Sequence, residues 1–178
     1  MNEEQALAEL AGGRGVLLDQ LPEDQGIYGL RDHEGRLRYV GMTTMTLRRR
    51  IAQYHVAGDG NSHKYSCAYN AGLLWHDRKN AASCPLDGAV SKRARRQFAR
   101  SFCRATGIPM PGMAKDQLAS LERRIIDLHG PGLDWNDSKI IPTINVDSIV
   151  MTMTASWSQK DKDAMERQQK RWNRKDEI

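Results

Sequence analysis

Apolar and polar positions alternate over two short stretches, Gly26-Ile27-Tyr28-Gly29-Leu30-Arg31 and Leu37-Arg38-Tyr39-Val40-Gly41. Between them, Asp32-His33-Glu34-Gly35 carries the chemistry of a turn, so the segment reads as a β-hairpin. With Asp32 to Gly35 as the loop, Leu30 opposes Leu37, Tyr28 opposes Tyr39 and Ile27 opposes Val40. Opposed residues of an antiparallel pair share a face. Both tyrosines then stand with Leu30 and Leu37 on one side, and Ile27 and Val40 take the other. Two phenols on a rigid ribbon are a candidate site as well as a fold signal.

Helical periodicity governs much of the rest. A short helix over 3–10 ends at Gly12-Gly13 and reads as peripheral, and 15–18 as a strand or extended lead-in. Thr43, Thr44 and Thr46 offer N-caps for a helix over 47–56, in which Leu47, Ile51 and Tyr54 form a core-facing stripe. A helix over 62–78, with Tyr65, Tyr69, Leu73 and His76 near one face, follows the break at Gly58-Asp59-Gly60-Asn61. Further helices are expected over 89–106 and 114–129, and 140–153 mixes β-branched residues with Pro142 as a strand or two would. The charged stretch 160–178 admits a helix, a docking tail or a frayed end. Composition shifts near Ser156, which would separate a domain over 1–155 from a tail over 156–178.

At 178 residues the chain has length for one domain and a real core. No apolar run is long enough to cross a bilayer, so no membrane partner is expected and the chain reads as cytoplasmic. Cys67, Cys84 and Cys103 are an odd count without paired spacing, which suits a reducing compartment. With His63 or His76 they could hold a metal, but no C-x-x-C or H-x-x-x-H spacing supports this. The net charge of +5 is concentrated. Lys92, Arg93, Arg95, Arg96, Arg100 and Arg104 fall within 91–105 with no acid among them, and Arg93, Arg96, Arg100 and Arg104 follow one another at helical steps. Val90, Ala94, Phe98 and Phe102 are placed to pack inward. A guanidinium stripe suits phosphates, giving affinity without sequence choice.

Two side chains stand out from their surroundings. Arg50 lies at the edge of the Leu47–Ile51–Tyr54 stripe, one turn from Leu47 and Tyr54, while a solvated face accounts for Arg48 and Arg49. Glu122 lies within the apolar side formed by Leu118, Leu121, Ile125 and Leu128, widened by Ile126. A carboxylate there is costly unless a cation or metal meets it.

Taken together, these residues resemble the GIY-YIG nuclease superfamily over roughly 26–136. Gly26-Ile27-Tyr28 corresponds to the first motif and Tyr39-Val40-Gly41 to the second. Leu47-Arg48-Arg49-Arg50-Ile51 places the family's arginine at Arg50. Four residues on, where members carry histidine or tyrosine, stands Tyr54, with His55 beside it. The metal-binding glutamate falls on Glu122 and the final asparagine on Asn136, with Asn145 a competitor.

The resemblance implies an α/β (α+β) fold, a central antiparallel sheet of about three strands flanked by helices, with helices added between 56 and 114. It further implies an endonuclease acting on DNA, double- or single-stranded, with Mg²⁺ or Mn²⁺ at Glu122. Tyr28 would be the general base, Tyr39 would position water or phosphate, Arg50 would clamp the phosphate and Asn136 would brace the site. Arg48, Lys92, Arg93, Arg96, Arg100 and Arg104 would contact the nucleic acid. A double-strand cutter of this size would work as a homodimer. The competing readings are a non-catalytic nucleic-acid-binding module using the basic helix, and an interaction protein using the charged tail.

Overall fold

The computed structural model describes residues 1–57, 63–69, 89–137, 144 and 146–173. Most of the helix expected over 62–78, together with His76, Cys84, Pro142 and Asn145, lies outside the described residues. The elements in chain order are α1 (Glu3–Ala11), β1 (Gly26–Arg31), β2 (Leu37–Thr43), a π-helical turn (Arg49–His55), α2 (Lys64–Ala68) and α3 (Ala89–Phe102). They continue with β3 (Arg104–Pro109), α4 (Lys115–His129), α5 (Asp134–Asp137), α6 (Asp147–Thr154) and α7 (Gln159–Asn173). The fold is α+β: a three-stranded antiparallel sheet in the order β2-β1-β3, with flanking helices. Two compact units are present, Met1–Tyr54 with Arg100–Lys139, and His55–Ala99 with Ile140–Ile178.

The hairpin forms where the alternation predicts it, but with a different register. Tyr28 opposes Gly41, Leu30 opposes Tyr39, Ile27 opposes Met42 and Gly29 opposes Val40. One residue of the offset arises at the turn. A bulge at Arg38, between the Leu30–Tyr39 and Arg31–Leu37 pairs, supplies a second. Side chains repeat every two residues along a strand, so this slip keeps Tyr28 and Tyr39 on one face. Leu37, on the turn side of the bulge, changes face and packs against the cluster containing Leu10, Ile27 and Val40.

The third strand is β3, not the 140–153 stretch. The helix expected over 89–106 stops at Phe102, and Arg104–Pro109 pairs with β1 along its whole length. Gly107 and Pro109 are poor helix residues, and pairing with the central strand satisfies backbone groups that a longer helix would expose. Val16 adds a bridge to Ala105, its N–H and C=O both bonded there at 2.9 and 3.1 Å. Residues 147–154, expected as strand, are the helix α6, with Val146 and Val150 buried one turn apart. Tertiary burial overrides the β-branched bias here.

One face of the sheet packs on α1 and α4 through Ala6, Leu10, Ile27, Val40, Ile108, Leu118, Leu121 and Ile125. Full burial of a leucine or isoleucine of this kind contributes about 1.5–3 kcal/mol. Helix α1 therefore belongs to the core, contrary to its peripheral reading. The buried Arg31 of β1 donates to the carbonyls of Leu10, Ala11 and Gly12 at 2.6, 3.0 and 3.1 Å, closing the C-terminus of α1. In α4, Leu118, Leu121 and Ile125 are buried as expected, whereas Leu128 is exposed.

In the second unit, Tyr69 packs on Phe98 with ring centres 4.8 Å apart, and Tyr65 stacks near Tyr69. Helix α7 is docked on α3 rather than frayed. Asp161 pairs with Arg93 at 2.9 Å, Arg93 lies 3.9 Å over the Trp157 ring, and the Trp157 indole donates to Gln97. Among the described residues, no helix is long and apolar enough to cross a membrane.

Candidate active site

The site begins with a missing side chain. Gly41 faces Tyr28 across the β1–β2 ladder, and the Tyr28 ring fills the volume a Cβ would need. Tyr28 is thereby almost fully buried, and Tyr39 stands beside it with ring centres 6.0 Å apart and planes tilted by 38°. Their hydroxyl groups are hydrogen-bonded to each other.

Arg50 arrives from the segment after β2. Residues 49–55 wind as a π-helix, whose i→i+5 bonds put more residues into each turn than an α-helix holds. The buried stripe consequently runs Leu47, Ile51, Ala52, His55 and Val56, and Tyr54 leaves it. The expected core position of Tyr54 is thus corrected: its side chain is exposed, at 37%. Arg50 remains at the edge of the stripe, half-buried, and its guanidinium donates to the Tyr28 hydroxyl oxygen.

Glu122 and Asn136 meet the outer edge of β2. The carboxylate of Glu122, half-buried on α4, accepts the backbone N–H of Met42. Two residues earlier, the Asn136 amide accepts the N–H of Val40 and donates to its C=O, both at 2.8 Å. Asn136 therefore acts as a substitute strand residue along β2. Its helix, α5, is held from the hairpin. The bulge residue Arg38 bonds Asp134 at 2.6 Å and the buried Asp32 at 2.7 Å, while Asp32 also accepts the N–H groups of Glu34 and Arg36.

These groups share one electrostatic environment. Burial drives the Tyr28 phenol well above the ordinary phenol range, and negative charge on Tyr39 or Glu122 pushes the same way against the opposing pull of Arg50. Tyr39 is raised by burial and then by Glu122, again opposed by Arg50. Burial raises Glu122, opposed by the Met42 N–H and the charges of Arg123 and Arg50. Both phenols are accordingly neutral at pH 7, and among the described residues Arg50 is the cation that acts on all three acids.

The other anticipated residues divide. Tyr54 lies away from the buried cluster, beneath the Arg49 guanidinium. His55 belongs to the second unit, where it is fully buried, its Nδ1 accepting the Lys64 N–H and its carbonyl the Ser66 hydroxyl. Arg48 pairs with Glu23 at 2.8 Å.

The arginine stripe is shorter than its spacing suggests. Arg93 is held by Asp161 and Trp157, an acid that the local sequence window could not reveal. Arg104 sits on β3 and bonds the Ser101 and Cys103 carbonyls. Arg96 and Arg100 remain exposed on α3, Lys92 is half-buried, and Arg95 is fully buried. Phe102, expected to point inward, is exposed.

Sequence reasoning missed Gly41 as the seat of Tyr28, Met42 as the partner of Glu122, and Arg38–Asp134 as the tether of α5. A cavity of about 440 Å³ lies elsewhere, beside α4, with Met113, Asp116, Gln117 and Arg124 in its wall and none of the clustered groups. No family model matches the chain, and searches of curated proteins and of solved structures give no significant match.

Proposed function

We propose that this protein is a divalent-metal-dependent endonuclease that hydrolyses DNA phosphodiester bonds through a GIY-YIG-type site. The observation that carries the reading is the pair of phenols Tyr28 and Tyr39 on one sheet face, ring centres 6.0 Å apart, with Arg50 beside Tyr28 and the half-buried carboxylate of Glu122 within electrostatic reach. A fold alone needs neither a buried phenol pair bonded to an arginine nor an acid drawn into that surrounding.

The donor set suits a hydrated oxygen-seeking ion. A single carboxylate is what Mg²⁺ or Mn²⁺ needs when phosphate and water complete the shell. Glu122 would hold the ion, with the Met42 N–H fixing the carboxylate. Bound there, the ion would stabilise charge on the scissile phosphate and the leaving oxygen.

The chain's own groups would do the rest. Arg50 uses one of its five N–H donors on Tyr28, and the others can hold a non-bridging phosphate oxygen as charge builds on it. Tyr28 would take the proton of the attacking water, its phenolate favoured by Arg50 and opposed by burial. Tyr39, hydrogen-bonded to Tyr28, would orient that water. Asn136 would brace β2 without touching substrate.

The reading is tested by incubating plasmid and single-stranded DNA with the protein and Mg²⁺ or Mn²⁺. Metal-dependent cleavage that Glu122→Ala and Arg50→Ala abolish is the expected result. Binding through Arg96 and Arg100 without cleavage under any of these conditions would leave a nucleic-acid-binding module instead.

A further inference from the structure

Arg48, Arg49 and Arg50 are consecutive, yet their side chains go three ways. Arg48 pairs with Glu23, Arg50 donates to Tyr28, and Arg49 lies over the Tyr54 ring with its guanidinium carbon 5.9 Å from the ring centre. Residues five apart occupy different faces of an α-helix. The π winding over Arg49–His55 brings them into line, so the local distortion itself makes the Arg49–Tyr54 pair. A single-turn π-helix is also unusual and is frequently found at functional sites.

Both side chains are exposed. An arginine over an aromatic ring gains from the cation–π contact while keeping its in-plane N–H groups for anionic oxygens. An aromatic ring beside a guanidinium is the combination that takes an unpaired base by stacking and its phosphate by charge. Bases of an intact duplex are stacked on one another and offer no such face.

We propose that Arg49 and Tyr54 form a subsite for the nucleotide adjoining the phosphate held by Arg50, with Tyr54 stacking on an unpaired base and Arg49 on its phosphate. Single-stranded DNA, or a single-stranded flap, is then the preferred substrate. Tyr54 acts here through its ring and not through proton transfer. The placement rests on the nuclease reading, which puts the phosphate at Arg50.

The test uses the full chain in EDTA, so that binding is read without cleavage, and a single-stranded oligonucleotide carrying 2-aminopurine as the probe. Stacking quenches the probe, and anisotropy gives the affinity. The wild type is expected to quench and to bind the single strand more tightly than the matching duplex. Tyr54→Ala and Arg49→Ala should each weaken single-strand binding by about tenfold, and Tyr54→Phe, which keeps the ring, should retain the quenching. Undiminished quenching in Tyr54→Ala, or equal affinity for duplex and single strand, overturns the subsite. Cleavage in Mg²⁺ is scored separately. Tyr54-dependent quenching in a protein that never cleaves supports the subsite and removes the nuclease reading. Cleavage by the wild type with full binding by Tyr54→Ala does the reverse.

Discussion

A methyl group at Gly41 would lie 2.6 Å from Cζ and 2.7 Å from Oη of Tyr28, and 2.5 Å from Cε1 of Tyr39, so the glycine and the two phenols fit together only as they stand. Gly41→Ala must therefore move a ring that is almost fully buried. The expected cost is about 1–3 kcal/mol in urea unfolding, with cleavage reduced by about a hundredfold because the hydroxyl leaves Arg50. Wild-type cleavage by a folded Gly41→Ala protein would show that the position of Tyr28 is immaterial.

On the proposed mechanism Tyr28 would set the pH dependence. Its pKa is raised, chiefly by burial, so the fraction of phenolate grows with pH throughout the neutral and alkaline range. If Tyr28 is the base, the logarithm of the cleavage rate should rise with pH from neutrality with no plateau near 7, and Tyr28→Phe should abolish the rise together with the activity. A rate that levels off at pH 7 in the wild type would assign proton removal to another group.

Glu122 opposes stability to function. Burial raises its folded pKa above that of the unfolded chain, so its protonated form is favoured by folding. That contribution is complete below the unfolded pKa and is lost as pH rises through the folded one, above which the half-buried carboxylate is charged. Glu122→Gln keeps an acceptor for the Met42 N–H and removes the charge. It should raise the melting temperature at pH 7 in the absence of metal, with the gain shrinking towards pH 4, and should eliminate metal-dependent cleavage. A destabilised Glu122→Gln protein would mean that Arg50 and Arg123 more than offset the burial.

Asn136→Ala leaves the N–H and C=O of Val40 without their side-chain partners. A loss of about 1–3 kcal/mol is expected by denaturant unfolding, since each deserted backbone group must find water or remain unsatisfied. Cleavage should fall and not vanish, because the amide braces the strand that carries Tyr39. Arg38→Ala removes the Asp134 tether of α5, with the Asn136 bonds left in place, and deprives the buried Asp32 of its cation, so it should reproduce the partial loss with at least as large a cost in stability.

The exposed and the engaged arginines of α3 should behave differently. Arg96→Ala should weaken DNA binding and reduce the salt dependence of the affinity by about one phosphate contact, with the fold unaffected. Arg93→Ala should instead loosen α7, read as faster hydrogen exchange there, because Arg93 bonds Asp161 and covers Trp157. Equal losses of DNA affinity in the two variants would return Arg93 to the binding face.

The hairpin and the apolar side of α4 were legible in the sequence for a common reason, whereas the grouping of Tyr28, Tyr39, Arg50 and Glu122 was implied by the resemblance. The first two each depend on a short period or a local contrast, such as an acid among leucines. The register was less accessible, since a bulge at Arg38 leaves no mark in alternation. The third strand was hidden because Ala99 to Ala105 suits a helix, and only the central strand beside it decides otherwise. The outward turn of Tyr54 required the π winding, which a 3.6-residue wheel cannot anticipate. The engagement of Arg93 by Asp161 lies 68 positions away along the chain, by the difference of their numbers, and no local window spans it.

Arg31 ties the first dozen residues to the strand that bears Tyr28, through three carbonyls at the end of α1. Trimming the amino terminus would take three carbonyl acceptors from a buried guanidinium that otherwise bonds the Gly35 carbonyl, and would uncover the apolar floor beneath Gly29. For anyone preparing the protein, an affinity handle in front of Met1 accordingly needs a spacer that leaves Asn2 and Gln5 to cap the first helix.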